Sequence, residues 1–367
     1  MANNLFGTDG IRGVANEFPM TAEVVFRLAQ TLSVTVCNKT KRVAIAKDTR
    51  ISGDMLESAL ITGFTSMGID VIKMGVVPTP LVTSQVSNLD IDMAVMITAS
   101  HNPYQDNGIK LITSRGDKFD DKQTSKIEEL LTSSENFTPS KDMIGKIYED
   151  TQSIERYMDN VRNIAPNYNA LKGLKVVLDC ANGVFSKIMP QIFKDLGAGV
   201  ITLSNTPDGY NINENCGSQH TENLQRVVVE SHAQLGIAVD GDGDRIIICD
   251  EKGNRIDGDQ IIAFLATYFY EHKMLKGNSG VDGLKTGWTN DAKGTLPKAL
   301  KNKATGNDLI RAFALWCSAG GQIRNFLLRR RLSEANMYLN NQYSQTPPDN
   351  YCYVLYDANG GTTSPRS

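Results

Sequence analysis

The sequence predicts an α/β fold built as tandem domains. Three observations predict it. Short apolar runs alternate with amphipathic helical stretches, the alternation breaks and restarts near residue 150, and 367 residues are enough for two or three domains, each with its own core. Strands and helices that alternate in this way argue for largely parallel sheets.

The first run of elements covers residues 1–150. Thr21 is placed to cap a helix over 21–34, in which Val24, Val25, Leu28, Ala29 and Leu32 recur at helical spacing. Arg42-Val-Ala-Ile-Ala46 reads as a buried strand entering the polar loop Lys47-Asp-Thr-Arg50. A helix over 52–67 is closed by Gly68, and 70–74 is the next strand. Pro80 suits the first turn of a helix beginning at Thr79. Met93-Ala-Val-Met-Ile97 and 108–113 are further strands, and 121–132 is a Lys/Glu-rich helix.

The second run covers 151–252. It has a helix near 150–164, strands at 175–179, 199–203, 235–239 and 246–249, and helices at 184–196 and 221–231. Glu251-Lys-Gly-Asn254 reads as a tight hairpin turn. An amphipathic helix over 260–272 would open a third unit at 253–281. Residues 282–367 lose the rhythm. They hold both tryptophans and the run Arg329-Arg330-Arg331, with one long helix over 308–331 as the sole expectation.

Composition narrows the function classes. With 41% hydrophobic and 22% charged residues, wholesale disorder is excluded. A net charge of −3 argues against a nucleic-acid or membrane-surface partner. The sequence contains no run of 18 apolar residues and no secretory pattern at its first residues, so neither spans nor secretion is expected. Cys37, Cys180, Cys216, Cys249, Cys317 and Cys352 stand too far apart for a zinc knuckle or a disulfide framework, so the cytoplasm is the expected compartment.

Two loops carry chemistry. Thr98-Ala-Ser-His-Asn-Pro103 follows a buried strand, at the end of an α/β strand where ligands collect. Ser100, beside His101 and ahead of Lys110, suits a phosphoryl acceptor near a cation, although an ordinary Ser/Asn/Pro turn has the same pattern. Asp240-Gly-Asp-Gly-Asp-Arg245 follows another strand. In an extended chain alternate carboxylates stand about 6.6 Å apart. Asp240, Asp242 and Asp244 therefore share a cation only if the backbone curls at Gly241 and Gly243. Oxygen ligands alone specify Mg²⁺ or Ca²⁺. An EF-hand fits Asp240, Asp242, Asp244 and Glu251 but not Arg245 at its glycine position. Phe6-Gly-Thr-Asp-Gly-Ile-Arg-Gly13 is glycine-rich and, with Arg12, could hold a phosphate; a plain N-terminal loop reads the same way.

Together these three loops, with Asp106-Asn-Gly-Ile-Lys110, resemble the α-D-phosphohexomutase superfamily. Pro207-Asp-Gly-Tyr-Asn-Ile-Asn213 followed by Cys216-Gly-Ser218 resembles its glucosamine branch rather than the mannose/glucose branch. The resemblance implies tandem α/β domains with mixed sheets and a sugar-phosphate substrate, and it leaves room for a homodimer. It also implies a phosphorylated Ser100, with Mg²⁺ held by that phosphate and by Asp240, Asp242 and Asp244. Arg12, Lys110 and Arg245 would neutralise the transferring group, with Lys110 the acid/base and His101 a close neighbour. The implied reaction interconverts glucosamine 6-phosphate and 1-phosphate through a 1,6-bisphosphate.

The resemblance ends near residue 281. The family's Gly-Glu-Asn-Ser-Gly-His sugar loop and Arg-x-Ser-Gly-Thr-Glu-Pro phosphate loop do not occur in this sequence. Three missing charge-assisted hydrogen bonds at roughly 1.5–3 kcal/mol each predict a catalytic loss of about 10³-fold or more. An inactive Mg²⁺-binding fragment is therefore the competing expectation.

Overall fold

The computed structural model describes residues 5–256, apart from 8–9, 135–136, 139–140 and 166, and a short ladder of Ser318–Ala319 against Gln322–Ile323. The chain divides into two units, Met1–Asp257 and Gly258–Ser367. In the second unit the ladder (β13, β14) interrupts the helix expected over 308–331. The sequence between its strands, Gly320-Gly321, is a poor helix former, which the apolar spacing alone had hidden. The expected helix at 260–272 lies outside the described residues.

The first unit holds two sheets. The first comprises β1 (Phe6–Gly7), β2 (Gly10–Val14), β3 (Arg42–Lys47), β4 (Asp70–Val76), β5 (Met93–Ile97), β6 (Asp106–Thr113) and β7 (Ile147–Glu149), in the order β1-β2-β6-β5-β3-β4-β7. Strands β5, β3, β4 and β7 run parallel, and β1, β2, β6 and β5 pair antiparallel. The sheet is thus mixed rather than largely parallel. The short link 98–105 between β5 and β6 cannot make the crossover that a parallel pair needs, so the chain turns straight back.

Helices cover both faces. Successive residues of β3 point to opposite sides. Val43 and Ile45 join Leu28 and Leu32 of α1 (Ala22–Thr35) and Leu56, Leu60 and Phe64 of α2 (Gly53–Ser66). Ala44 and Ala46 join Leu81 and Val82 of α3 (Thr79–Gln85). Burial on both sides is why the strand reads as an unbroken apolar run. Thr21 caps α1 by accepting from the Val24 amide at 3.3 Å. Helix α4 (Asp121–Thr132) begins with a capping box of Asp120 and Gln123, and α5 (Ser153–Ile164) follows β7, a strand the sequence reading missed. All three β7 residues are exposed, so no apolar run marked it.

The second sheet has the order β12-β11-β10-β8-β9, from β8 (Lys175–Asp179), β9 (Gly199–Leu203), β10 (Leu235–Val239), β11 (Ile246–Asp250) and β12 (Arg255–Ile256). Strands β10, β8 and β9 are parallel, and β11 and β12 add antiparallel edges. Helices α6 (Phe185–Asp195) and α7 (Glu222–Glu230) pack against it. The glycine-rich stretch 6–13 is largely strand where a plain loop was the alternative expectation. It forms β1 and β2, with β2 paired along β6. Among the described residues, no helix is long and apolar enough to cross a membrane.

Candidate active site

Ser100 lies just beyond β5 with φ +55°, in the left-handed region that non-glycine residues rarely occupy. Its amide donates to Thr98 Oγ1 at 2.8 Å, which bends the loop back over its own strand. That bend points the hydroxyl at the second sheet, where it donates to Asp240 Oδ2 at 2.6 Å. His101 Nδ1 is 3.4 Å from the same hydroxyl.

The acidic loop beyond β10 curls as its glycines suggest. Asp240 Oδ1 accepts from the Arg245 amide at 3.1 Å, and the Asp240 carbonyl accepts from the Gly243 amide at 3.0 Å. Gly243 supplies the curl with φ +73°. Gly241 serves differently from the expectation. It needs no positive φ, but a Cβ there would come within 2.6 Å of Ile212 Cδ1. The curl brings one oxygen of each of Asp240, Asp242 and Asp244 within 4.8 Å of the others.

Lys110, on β6, reaches across to this cluster. Its Nζ donates to Asp242 Oδ2 at 2.6 Å and to Asp244 Oδ2 at 2.7 Å. Thr79 Oγ1, at the start of α3, donates to Asp242 Oδ2 at 2.6 Å. Asp242 Oδ1 is buried and has no donor. A buried carboxylate oxygen left without a donor, in a cluster of oxygen acceptors, is the environment a hard divalent cation satisfies. The trio is therefore able to bind a metal.

Electrostatics follow from this crowding. Burial, and then Asp242, push the Asp240 carboxyl well above the ordinary carboxylate range. Burial pulls the Lys110 ammonium down, but Asp242 and Asp244 outweigh it and hold the group protonated beyond its usual range. Burial lowers the His101 pKa, and the nearby Arg245 and Arg12 lower it further. Both arginines thus lie near the serine loop. Arg12 comes from β2, and Arg245 has its side chain 47% exposed and Nε 3.9 Å from Asp244 Oδ1.

The structure thus brings Ser100, Lys110 and the three aspartates into one hydrogen-bonded cluster, with His101, Arg12 and Arg245 close to it. It also reveals residues the sequence reading passed over as a polar loop. Asp48 and Arg50 form a fully buried pair, with Nε to Oδ2 at 2.9 Å, and Thr98 Oγ1 donates to Asp48 Oδ2 at 2.7 Å. Arg50 Nη2 donates to the carbonyls of Ser100 at 3.0 Å and Asn102 at 2.8 Å, and Nη1 to those of Pro103 and Asp106. Their one sequence cue was two opposite charges just past the end of a buried strand. A cleft of about 230 Å³ is lined by His101, Tyr104, Tyr210, Glu214 and His220, with the two tyrosine rings meeting edge to face at 5.3 Å.

Known proteins resemble both sheet-bearing stretches of the chain. Residues 3–138 match the phosphoglucomutase/phosphomannomutase α/β/α domain I, and residues 155–253 match domain II. The phosphoglucosamine mutase of Pelobacter propionicus is 43% identical over 277 residues, covering 74% of this chain and 61% of that protein. That of Maricaulis maris is 46% identical over 281 residues, covering 75% and 62%. A phosphoglucomutase/phosphomannomutase family protein of Burkholderia thailandensis superposes with a TM-score of 0.63 at 27% identity, covering 73% of this chain and 59% of that one. The chain spans about three-fifths of the length of the curated relatives it matches. With both of these family domains and the serine and aspartate loops they carry, the chain belongs to the phosphoglucomutase/phosphomannomutase family of phosphohexomutases.

Proposed function

We propose that this chain carries the phosphoryl-transfer centre of a phosphoglucosamine mutase, on domains spanning residues 1–150 and 151–252. The observation that carries the reading is the 2.6 Å contact of Ser100 Oγ with Asp240, in a cluster that also holds Asp242, Asp244 and Lys110. The glucosamine assignment is supported by the motif at 207–213 and by the names of the relatives above.

In this reading Ser100 holds the phosphoryl group. A hydroxyl of glucosamine 6-phosphate attacks the phosphorus, the Oγ–P bond breaks, and the sugar hydroxyl proton ends on Ser100 Oγ. The bisphosphate then turns over. Ser100 Oγ takes its other phosphoryl group, the sugar O–P bond breaks, and the proton returns to the released glucosamine 1-phosphate. Lys110 is the acid/base candidate; kept charged by Asp242 and Asp244, it enters as the acid, giving its proton to the leaving oxygen and regaining one from the attacking hydroxyl, and with Arg12 and Arg245 it offsets the charge of the group in flight. His101, whose charge burial and the arginines disfavour, leaves the hydroxyl face neutral. Asp240, Asp242 and Asp244, with the serine phosphate, are the residues that would hold Mg²⁺. When bound, the ion supplies further positive charge against the phosphoryl oxygens. A reducing cytoplasm suits Cys37, Cys180, Cys216 and Cys249, which are buried and free.

The test separates chemistry from sugar handling. Purified protein is incubated with glucosamine 1,6-bisphosphate and MgCl2, and Ser100 phosphorylation is followed by intact mass and peptide mapping, with Ser100→Ala as the control. Phosphate gained at Ser100 is the expected result, and none gained there overturns the reading. Steady-state assays on the 1-phosphates of glucosamine, glucose and mannose test specificity, and a preference for glucose overturns the glucosamine assignment.

A further inference from the structure

The stretch Pro207–Asn213 marked the family branch in the sequence, but the mechanism above does not use it. In the fold it is a clasp between the two sheets. Asp208 fixes it internally by accepting from the amides of Tyr210 at 2.8 Å and Asn211 at 2.9 Å. The Gly209 carbonyl accepts from the Ile51 amide at 2.9 Å, which anchors the stretch to the loop after β3. Asn213 then reaches the serine loop. Its Nδ2 donates to the carbonyl of Ser100 at 2.9 Å and to that of Asn102 at 3.1 Å, using both amide hydrogens.

The same amide nitrogen of Asn213 also lies against the acidic loop. A Cβ added at Gly241, between Asp240 and Asp242, would stand 2.9 Å from Asn213 Nδ2. Asn213 therefore fills the space between the serine loop and the aspartate loop and touches both. Ser100 needs such a hold, because its φ of +55° persists only where surroundings over-determine it. Arg50 grips the same two carbonyls from the first sheet, and Asn213 grips them from the second.

We propose that Asn213 is a positioning residue for phosphoryl transfer: it sets Ser100 against the aspartate loop by holding the serine loop's carbonyls from the opposite domain. This rests on Ser100 being the phosphoryl acceptor, as inferred above. Asn213 itself has φ +59°, so glycine and aspartate, which tolerate that backbone, are the informative replacements. The reaction followed is loading. The Ser100 Oγ–P bond forms, a sugar O–P bond breaks, and the hydroxyl proton moves to the released sugar oxygen.

The experiment loads the full chain, wild type, Asn213→Gly and Asn213→Asp, from glucose 1,6-bisphosphate with MgCl2. Loading rates are measured against bisphosphate concentration, the phosphoserine ³¹P shift is recorded, and thermal melts serve as the control. Both variants should load about 10- to 100-fold more slowly at saturation. The half-saturating concentration should stay nearly unchanged and the ³¹P signal should move, because the defect is in placement rather than in affinity. Loading at the wild-type rate by Asn213→Gly overturns the proposal. Loss of the fold in both variants also overturns it, since Asn213 would then be merely structural. Failure of the wild type to load instead removes the phosphoacceptor reading, an outcome distinct from either.

Discussion

Replacing Lys110 by methionine keeps most of the aliphatic stem and removes the ammonium that faces Asp242 and Asp244. The Nζ lies 2.6 Å from Asp242 and 2.7 Å from Asp244, and the Asp242 side chain is fully buried. Breaking a buried pair by deleting one partner costs about 3–5 kcal/mol. Asp244 is 33% exposed, so its share is screened by solvent and adds little. The trio also has a way to relieve itself. Burial and Asp242 already push the Asp240 carboxyl upward, so the cluster can take up a proton. The lower end, about 3 kcal/mol, is therefore expected. At roughly 2–4 °C per kcal/mol for a unit of this size, melting in EDTA should fall by about 6–12 °C. Relief by protonation sets the sign with pH. A carboxyl whose folded pKa is raised stabilises the native state below its unfolded pKa and loses that contribution as pH rises through the folded pKa. The deficit of Lys110→Met should accordingly widen in alkaline buffer. Magnesium should narrow it, raising the variant's melting temperature by more than the wild type's. Circular dichroism melts in EDTA and in saturating MgCl2 measure both. A variant melting within about 2 °C of wild type in EDTA, or an equal magnesium gain in both proteins, would refute the view that Lys110 balances the aspartate trio.

Thr79→Val deletes the hydroxyl that donates to Asp242 Oδ2 at 2.6 Å, and urea unfolding should report a loss of about 1.5–3 kcal/mol. Gly183→Ala would set a Cβ 2.3 Å from the Gly241 carbonyl and push on the aspartate loop. Magnesium affinity measured by calorimetry should drop about 10- to 100-fold. Asp250 accepts from the Asn254 side chain and from the amides of Asn254 and Lys252, which hold its carboxyl below the usual range. Its stabilising contribution is present above the unfolded pKa of about 3.9 and is lost as pH falls through the folded pKa. The advantage of wild type over Asp250→Asn should therefore shrink in acid melts and stay constant from mildly acidic to neutral pH.

Much of this protein was legible in its sequence because the relevant signals are local. The apolar run Arg42–Lys47 with a polar loop behind it, the cap at Thr21 and the stop at Gly68 depend on residues within a turn or two, and the structure follows them. The two chemical loops were legible for the same reason. A Ser-His-Asn-Pro turn and alternating aspartates with glycines are compact patterns, each placed at a strand's carboxyl end. The glycine-rich stretch 6–13 hid its strands because glycine suits a loop. Pairing with β6 made part of it a strand, and pairing is a property of a distant partner.

By itself, then, the sequence determined which segments become strands and helices and which loops could carry chemistry, because propensity, capping and hydrophobic period act over short stretches of chain. Only the tertiary structure decided that Ser100 meets Asp240 across 140 residues of chain, and that Lys110, Thr79 and Asn213 converge on that meeting point. The physical reason is burial. The roles of Arg50 and Asn213 arise from carbonyls brought within about 3 Å of them once two sheets have packed, and no spacing along the chain encodes that distance.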